Sequence, residues 1–99
     1  MVIIGTVSFP TESAAEMGKR FGKLPSLPKY MTLKGPYFCG EEGVGTKAMS
    51  IFEFDQSKTR EAMEIVSTRF ATYIGVPGYT YSTKIWLESK EALKLIGLA

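Results

Sequence analysis

The chain has no histidine among its 99 residues and only one cysteine, Cys39. Histidine is the commonest general base and the commonest metal ligand, so its absence excludes Ser-His and Cys-His nucleophilic sites and histidine-ligated haem. A zinc ion would need carboxylates and one thiolate, which is an uncommon ligand set. We therefore expect no metal site and no cofactor. A single cysteine also excludes an intrachain disulfide framework and favours a reducing, cytoplasmic location.

Long apolar runs and a strong charge imbalance are also missing. The longest apolar run is far shorter than the roughly 18 residues of a membrane span, and the N-terminal apolar stretch is better explained as a strand than as a signal peptide. The net charge is +2, with basic and acidic residues interspersed. This balance gives no electrostatic reason to expect nucleic acid or a membrane as a partner.

The pattern of apolar and turn-forming residues predicts alternating strands and helices. The predicted strands cover residues 2–9, 30–38, 46–54 and 79–87. The predicted helices cover residues 12–22, 57–73 and 90–96. An irregularity is expected at Gly35 and Pro36, because proline interrupts a strand's hydrogen bonding. The order β-α-β-β-α-β is that of a ferredoxin-like unit, in which two helices cover one face of a four-stranded antiparallel sheet. We expect a single α+β domain over residues 1–99.

Apolar residues at helical spacing predict the buried face of each long helix. In the first helix this stripe consists of Ala14, Met17, Gly18 and Phe21. In the second helix the residues expected to face the sheet are Ala62, Val66, Phe70 and Tyr73. The expected N-caps of the three helices are Thr11, then Asp55 or Ser57, and finally Ser89.

Several predicted strands are apolar on both faces, which is unusual in an antiparallel sheet with one solvated face. Met49 and Ile51, for example, alternate with apolar residues on the other face of the same strand. A chain this short buries only part of its apolar surface alone. We therefore expect a second copy of the chain to cover the sheet, with Ile3, Met49 and Ile51 in the dimer interface.

The segment Lys47–Phe54 also follows the pattern of a strand in the RNA-recognition motif. That family places aromatic rings on its open sheet face, where each stacked base contributes roughly 1–3 kcal/mol. This chain has Met49, Ile51 and Ile3 at the corresponding positions, and aliphatic side chains provide no stacking. We therefore expect no nucleic acid partner.

A ferredoxin-like unit with an aliphatic open face resembles the dimeric α+β barrel superfamily, in which two sheets pack face to face. The resemblance implies a homodimer or a higher homo-oligomer. The superfamily includes monooxygenases, haem-degrading enzymes and ligand-sensing domains. No catalytic residue of these members can be carried over to a position of this sequence.

The aromatic residues are the remaining candidates for a ligand site, because tyrosine and tryptophan combine an apolar ring with a polar group. The expected ligand-binding residues are Tyr30, Tyr37, Tyr79, Tyr81 and Trp86. The sequence thus indicates a small homodimeric binding or structural protein that holds an apolar small molecule. The alternative is a cofactor-independent oxygenase or isomerase of the dimeric α+β barrel type.

Overall fold

Four β-strands and three α-helices form the chain in a computed structural model that describes residues 1–98. The strands are β1 (Val2–Phe9), β2 (Met31–Glu41), β3 (Gly45–Phe54) and β4 (Thr80–Trp86). The helices are α1 (Ala14–Phe21), α2 (Thr59–Ala71) and α3 (Ser89–Leu95). Short 3₁₀ turns, Thr11–Ser13 and Gln56–Lys58, lead into α1 and α2. The α+β class and the order of the elements are confirmed. No helix in this part of the chain has both the length and the apolar character needed to cross a membrane.

The strands form one antiparallel sheet in the order β2-β3-β1-β4, which is compatible with a ferredoxin-like fold. β1 pairs with β3 from Val2 opposite Glu53 to Phe9 opposite Thr46. The register of β2 against β3 shifts between Lys34 and Tyr37, as predicted from the intervening Gly-Pro pair. Gly35 has a φ of 98° at this shift, a conformation that residues with a Cβ rarely adopt.

The main core lies between α2 and the sheet. Ile3, Phe52 and Val66 are its largest fully buried side chains. All four residues predicted to face the sheet from the second helix are buried, which confirms the helical pattern. Gly5 lies directly beneath this helix, because a Cβ at this position would be 2.2 Å from Cζ of Phe70. The missing side chain therefore lets the Phe70 ring rest on β1.

Helix α1 contacts the rest of the fold at fewer points. Met17 is buried in a second cluster with Phe9, Tyr73 and Val76. Arg20 holds the end of the helix by donating from Nη1 to the carbonyl oxygens of Thr72 and Ile74, each at 3.0 Å. The other three residues of the predicted buried stripe are exposed, so that part of the prediction was wrong. The reason is a cavity beneath the helix, described below.

The helix caps differ in part from those predicted. Asp55 fills the expected role before α2, since its carboxylate accepts hydrogen bonds from Ser57 N at 3.0 Å and Ser57 Oγ at 2.6 Å. Before α3 the cap is Glu88 and not Ser89, because Glu88 and Glu91 form a reciprocal capping box. Thr11 begins the first 3₁₀ turn and is preceded by Pro10, which provides no side-chain hydrogen bond to it.

Candidate functional site

A cavity of about 340 Å³ lies between α1 and the helix-facing side of the sheet. Its volume falls within the range of about 300–1,000 Å³ that is typical of small-molecule sites. The sheet contributes an apolar floor that includes Val7, Ala48 and Phe52. Phe70 and Tyr73 close one side. The walls are thus mostly hydrocarbon, and apolar surface of this kind favours an apolar ligand over water.

All four residues of the predicted α1 stripe line this cavity: Ala14, Met17, Gly18 and Phe21. The stripe therefore faces the sheet, but its alanine and glycine are too small to reach it. Phe21 and Phe38 both line the cavity, and their side chains are 48% and 65% exposed. The cavity consequently opens to solvent beside these two rings.

Four polar residues interrupt the apolar wall: Thr46, Ser50, Arg69 and Tyr73. Arg69 is half-buried and donates from Nη1 to the carbonyl oxygen of Pro25 at 2.7 Å. Burial lowers the pKa of Arg69 and raises the pKa of Tyr73, the latter against the opposing effect of the arginine's charge. At neutral pH the cavity therefore has one guanidinium cation and a neutral phenol in its wall.

The predicted ligand residues Tyr79 and Tyr81 lie close together but outside the cavity wall. Their rings stack with centroids 5.4 Å apart, and the Tyr79 ring is also 5.4 Å from that of Tyr73. The Tyr79 hydroxyl donates to the carbonyl oxygen of Phe70 at 2.7 Å. Burial, and to a smaller degree the neighbouring tyrosines, raise the pKa of Tyr79. The two tyrosines therefore pack against the cavity residues Phe70 and Tyr73 without lining the cavity themselves.

The other predicted ligand residues are separated from this cluster and from the cavity. Tyr30 is half-buried beside the main core, with Nζ of Lys58 5.4 Å from its ring centroid. Tyr37 and Trp86 lie on the sheet face opposite the helices, on strands at opposite edges. The five aromatic residues therefore do not surround one pocket.

Sequence reasoning did not identify the cavity residues Phe38, Arg69 and Tyr73 as candidate ligand-binding residues. One signal was present, because Arg69 occupies an apolar-spaced position of the second helix, three residues after Val66 and four before Tyr73. A cation in an otherwise apolar stripe indicates that the stripe borders something other than packed hydrocarbon. Phe38 gave no comparable signal.

The sheet face opposite the helices, here called the open face, has a continuous apolar band. It consists of Tyr37, Met49, Ile51, Ile4, Val2 and Trp86, and it crosses the sheet diagonally from β2 to β4. We call it the apolar diagonal. Charged groups flank it, with Lys34 and Glu53 paired at 3.4 Å. Met49 is 43% exposed and Trp86 is 50% exposed. The band is therefore an apolar surface that residues 1–98 of a single copy leave partly uncovered.

Ile3 does not belong to this surface, which corrects the predicted interface. It is fully buried and pairs across the sheet with Phe52 and Ile85, so its side chain faces the helices. Alternate residues of a strand point to opposite faces, and the neighbouring Ile4 takes the open-face position opposite Ile51. Of the three predicted interface residues, Met49 and Ile51 lie on the open face.

Neither coordination geometry nor sequence comparison identifies a known kind of site. Within residues 1–98, no group of three or more cysteine or acidic side chains is placed to hold a metal ion. Cys39 is an exposed free thiol opposite Lys47, on the open face. No model of a known protein family and no curated protein matches the sequence. The cavity and the apolar diagonal are thus the two features from which a function can be inferred.

Proposed function

We propose that this chain is a small homodimeric binding protein that holds an apolar small molecule in the cavity between α1 and the sheet. The observation that carries the proposal is the cavity itself, about 340 Å³ with mostly hydrocarbon walls. The cavity opens to solvent beside Phe21 and Phe38, so its apolar walls are in contact with water. A fitting apolar ligand would remove that surface from water and stabilise the folded chain.

The homodimer is proposed from the apolar diagonal. Two copies packed through their open faces would remove its apolar side chains from water, and a standard interface buries roughly 800 Å² per partner. The strand order β2-β3-β1-β4, with α2 and α1 on one face, supports a ferredoxin-like fold in the manner of the dimeric α+β barrel superfamily. A cytoplasmic location is part of the proposal, and the exposed free thiol of Cys39 supports it, because a reducing compartment keeps such thiols reduced.

A cavity-filling variant tests the ligand site. A Cβ on Gly18 would meet nothing within 4 Å, so Gly18→Leu places a side chain in the cavity without a clash at its base. Ala15→Leu adds apolar atoms to the same helix at an exposed residue outside the cavity wall, and it is the matched control. Ligands are first sought by thermal shift with fatty acids, quinones, flavins and aromatic acids.

The expected result is that an apolar compound stabilises the unmodified protein and the Ala15→Leu variant alike. Gly18→Leu should weaken the binding of that compound at least about tenfold. The leucine takes space that an apolar group of the ligand would fill, and losing even one such group from the site costs about that much in affinity. Its fold should be retained, since replacing a helical glycine is favourable by up to about 1 kcal/mol. Equal binding by all three proteins, or no binding of any apolar compound, would overturn the proposal.

A second candidate is a cofactor-independent oxygenase or isomerase with the same architecture. The observation that favours it is the presence of Arg69 and Tyr73 together in the wall of an otherwise apolar cavity. A cation and a phenol can polarise or protonate a bound aromatic substrate. Oxygen uptake with a panel of quinols and phenols tests this candidate. Uptake that Tyr73→Phe abolishes would support it, and an absence of turnover with a bound quinol would refute it.

A further inference from the structure

The arginines of the chain differ in their partners. There are three, Arg20, Arg60 and Arg69. Arg20 pairs with Glu16 at 3.0 Å, and Arg60 pairs with Glu64 at 3.5 Å. Within residues 1–98, Arg69 has no carboxylate within 4 Å and donates one hydrogen bond to a main-chain carbonyl. A guanidinium has five N–H donors, so most of its hydrogen-bonding capacity remains available.

Arg69 is also the arginine that borders the cavity, and it is the one charged residue in the wall that residues 1–98 provide. Burial lowers its pKa, because a cation removed from water loses hydration. Arginine nevertheless remains protonated in proteins, so the site holds a positive charge that no carboxylate of residues 1–98 neutralises by a direct ion pair. Such a charge is stabilised when an anion is bound beside it. The phenol of Tyr73 lies in the same wall and can donate a further hydrogen bond.

The rest of the cavity fits a hydrocarbon group of moderate size. Its volume, about 340 Å³, lies at the lower end of the range of about 300–1,000 Å³ that is typical of small-molecule sites. We propose, building on the binding function above, that the ligand is an apolar monocarboxylate, either a medium-chain fatty acid or an aryl-alkanoic acid. Its carboxylate pairs with the Arg69 guanidinium in a bidentate manner, and its hydrocarbon lies against Phe52 and Phe70.

Head-group comparison at constant chain length tests this inference. Decanoate, 1-decanol and decylammonium are titrated calorimetrically into the unmodified protein, and 3-phenylpropanoate is compared with 3-phenylpropanol. A hydrogen bond to a charged group strengthens binding by about ten- to a hundredfold, so at least one acid should bind that much more tightly than its alcohol. Decylammonium should bind more weakly than decanol, because it brings a second cation next to Arg69.

Variants then identify the charge that is responsible. Arg69→Gln should remove the preference for the acid while leaving the affinity for the alcohol nearly unchanged. Arg60→Gln is the matched control, since it removes an equal charge from an exposed residue of the same helix, and it should retain the full preference. Arg69→Lys should retain part of it, because lysine keeps the charge but not the bidentate geometry.

The outcomes separate this inference from the binding function on which it rests. If the alcohols bind as tightly as the acids, the inference is wrong and an apolar binding protein remains. If Arg69→Gln keeps the preference for the acid, the inference is equally wrong. If no acid and no alcohol binds, both proposals fail. Should Arg69→Gln not fold, the head-group comparison on the unmodified protein still decides the matter.

Discussion

Replacing Gly5 with alanine should destabilise the protein, because the new methyl group would enter the ring of Phe70. The ideal Cβ lies 2.2 Å from Cζ of Phe70 and 2.7 Å from Cε2. An ordinary carbon–carbon contact is about 3.5–4.0 Å, so the ring must retreat by about 1.3 Å or more. Phe70 packs edge-on against Phe52 at a centroid distance of 6.2 Å and lies 6.1 Å from the Tyr81 ring. The retreat therefore disturbs the main core, and overpacking of this kind costs about 1–3 kcal/mol.

The free energy of unfolding in urea measures this effect, with Gly18→Ala as the control. The Cβ at Gly18 meets nothing within 4 Å, so alanine there should instead stabilise the helix by up to about 1 kcal/mol. A double-mutant cycle with Phe70→Leu isolates the clash, because the smaller side chain leaves room for the methyl group. The double variant should be more stable than the sum of the single effects predicts, by about 1 kcal/mol or more.

Two results would refute this reasoning. One is a Gly5→Ala variant as stable as the unmodified protein, which would mean that the ring moves into the adjacent cavity at no cost. The other is strict additivity in the cycle, which would mean that the methyl group and the ring do not compete for space.

Three further predictions concern the dimer, a buried tyrosine and a helix cap. Light scattering should show a dimer for the unmodified protein and monomers or aggregates for Ile51→Glu, because the variant places an unpaired charge in the interface. The control Ile74→Glu changes an exposed residue outside the sheet and should leave the dimer intact. A monomeric unmodified protein would contradict this prediction. Tyr79→Phe should lower stability at neutral pH by about 1 kcal/mol through its lost hydrogen bond. Because the pKa of Tyr79 is raised in the folded state, the stability that its neutral phenol contributes is fully present below pH 10.0 and is lost as the pH rises from there through the folded-state pKa. The free energy of unfolding of Tyr79→Phe should therefore fall less steeply with pH in alkali than that of the unmodified protein. Equal slopes for the two proteins in urea titrations would contradict this. The hydrogen bonds from Ser57 lower the pKa of Asp55, so the stability that its carboxylate contributes is present above pH 3.8 and is lost as the pH falls through the lower folded-state pKa. Asp55→Asn should remove this part of the fall in thermal midpoint in acid. An equal fall in the variant and the unmodified protein would contradict the prediction.

The parts of the fold that the sequence predicts correctly are those with large side chains at regular spacing. Val66 and Phe70 repeat at the helical period and fill the space over the sheet, so pattern and packing agree. The interruption at Gly35 and Pro36 was also predictable, because proline has no N–H for the strand ladder. In both cases a local property of the chain decides the structure.

The cavity could not be predicted, because its existence depends on a distance between elements. Periodicity gives the direction in which Ala14 and Gly18 point, but not whether the sheet comes close enough to touch them. On the sheet side of the cavity, Gly5 and Ala48 are also small, so their side chains do not fill the space below the helix. Ile3 was misplaced for a related reason, since a strand that is apolar on both faces does not show which face is buried. The pairing partners of β1 supply that information.

The single thiol makes the open face accessible to spectroscopy without any engineering of cysteines. Cys39 is exposed and lies on that face, opposite Lys47 and next to the pair formed by Tyr37 and Met49. A nitroxide or a fluorophore attached to it would mark one point on each copy of the chain. In a dimer formed through the open faces, pulsed electron paramagnetic resonance would then give one intermolecular distance, and its width would report how rigidly the two sheets are held.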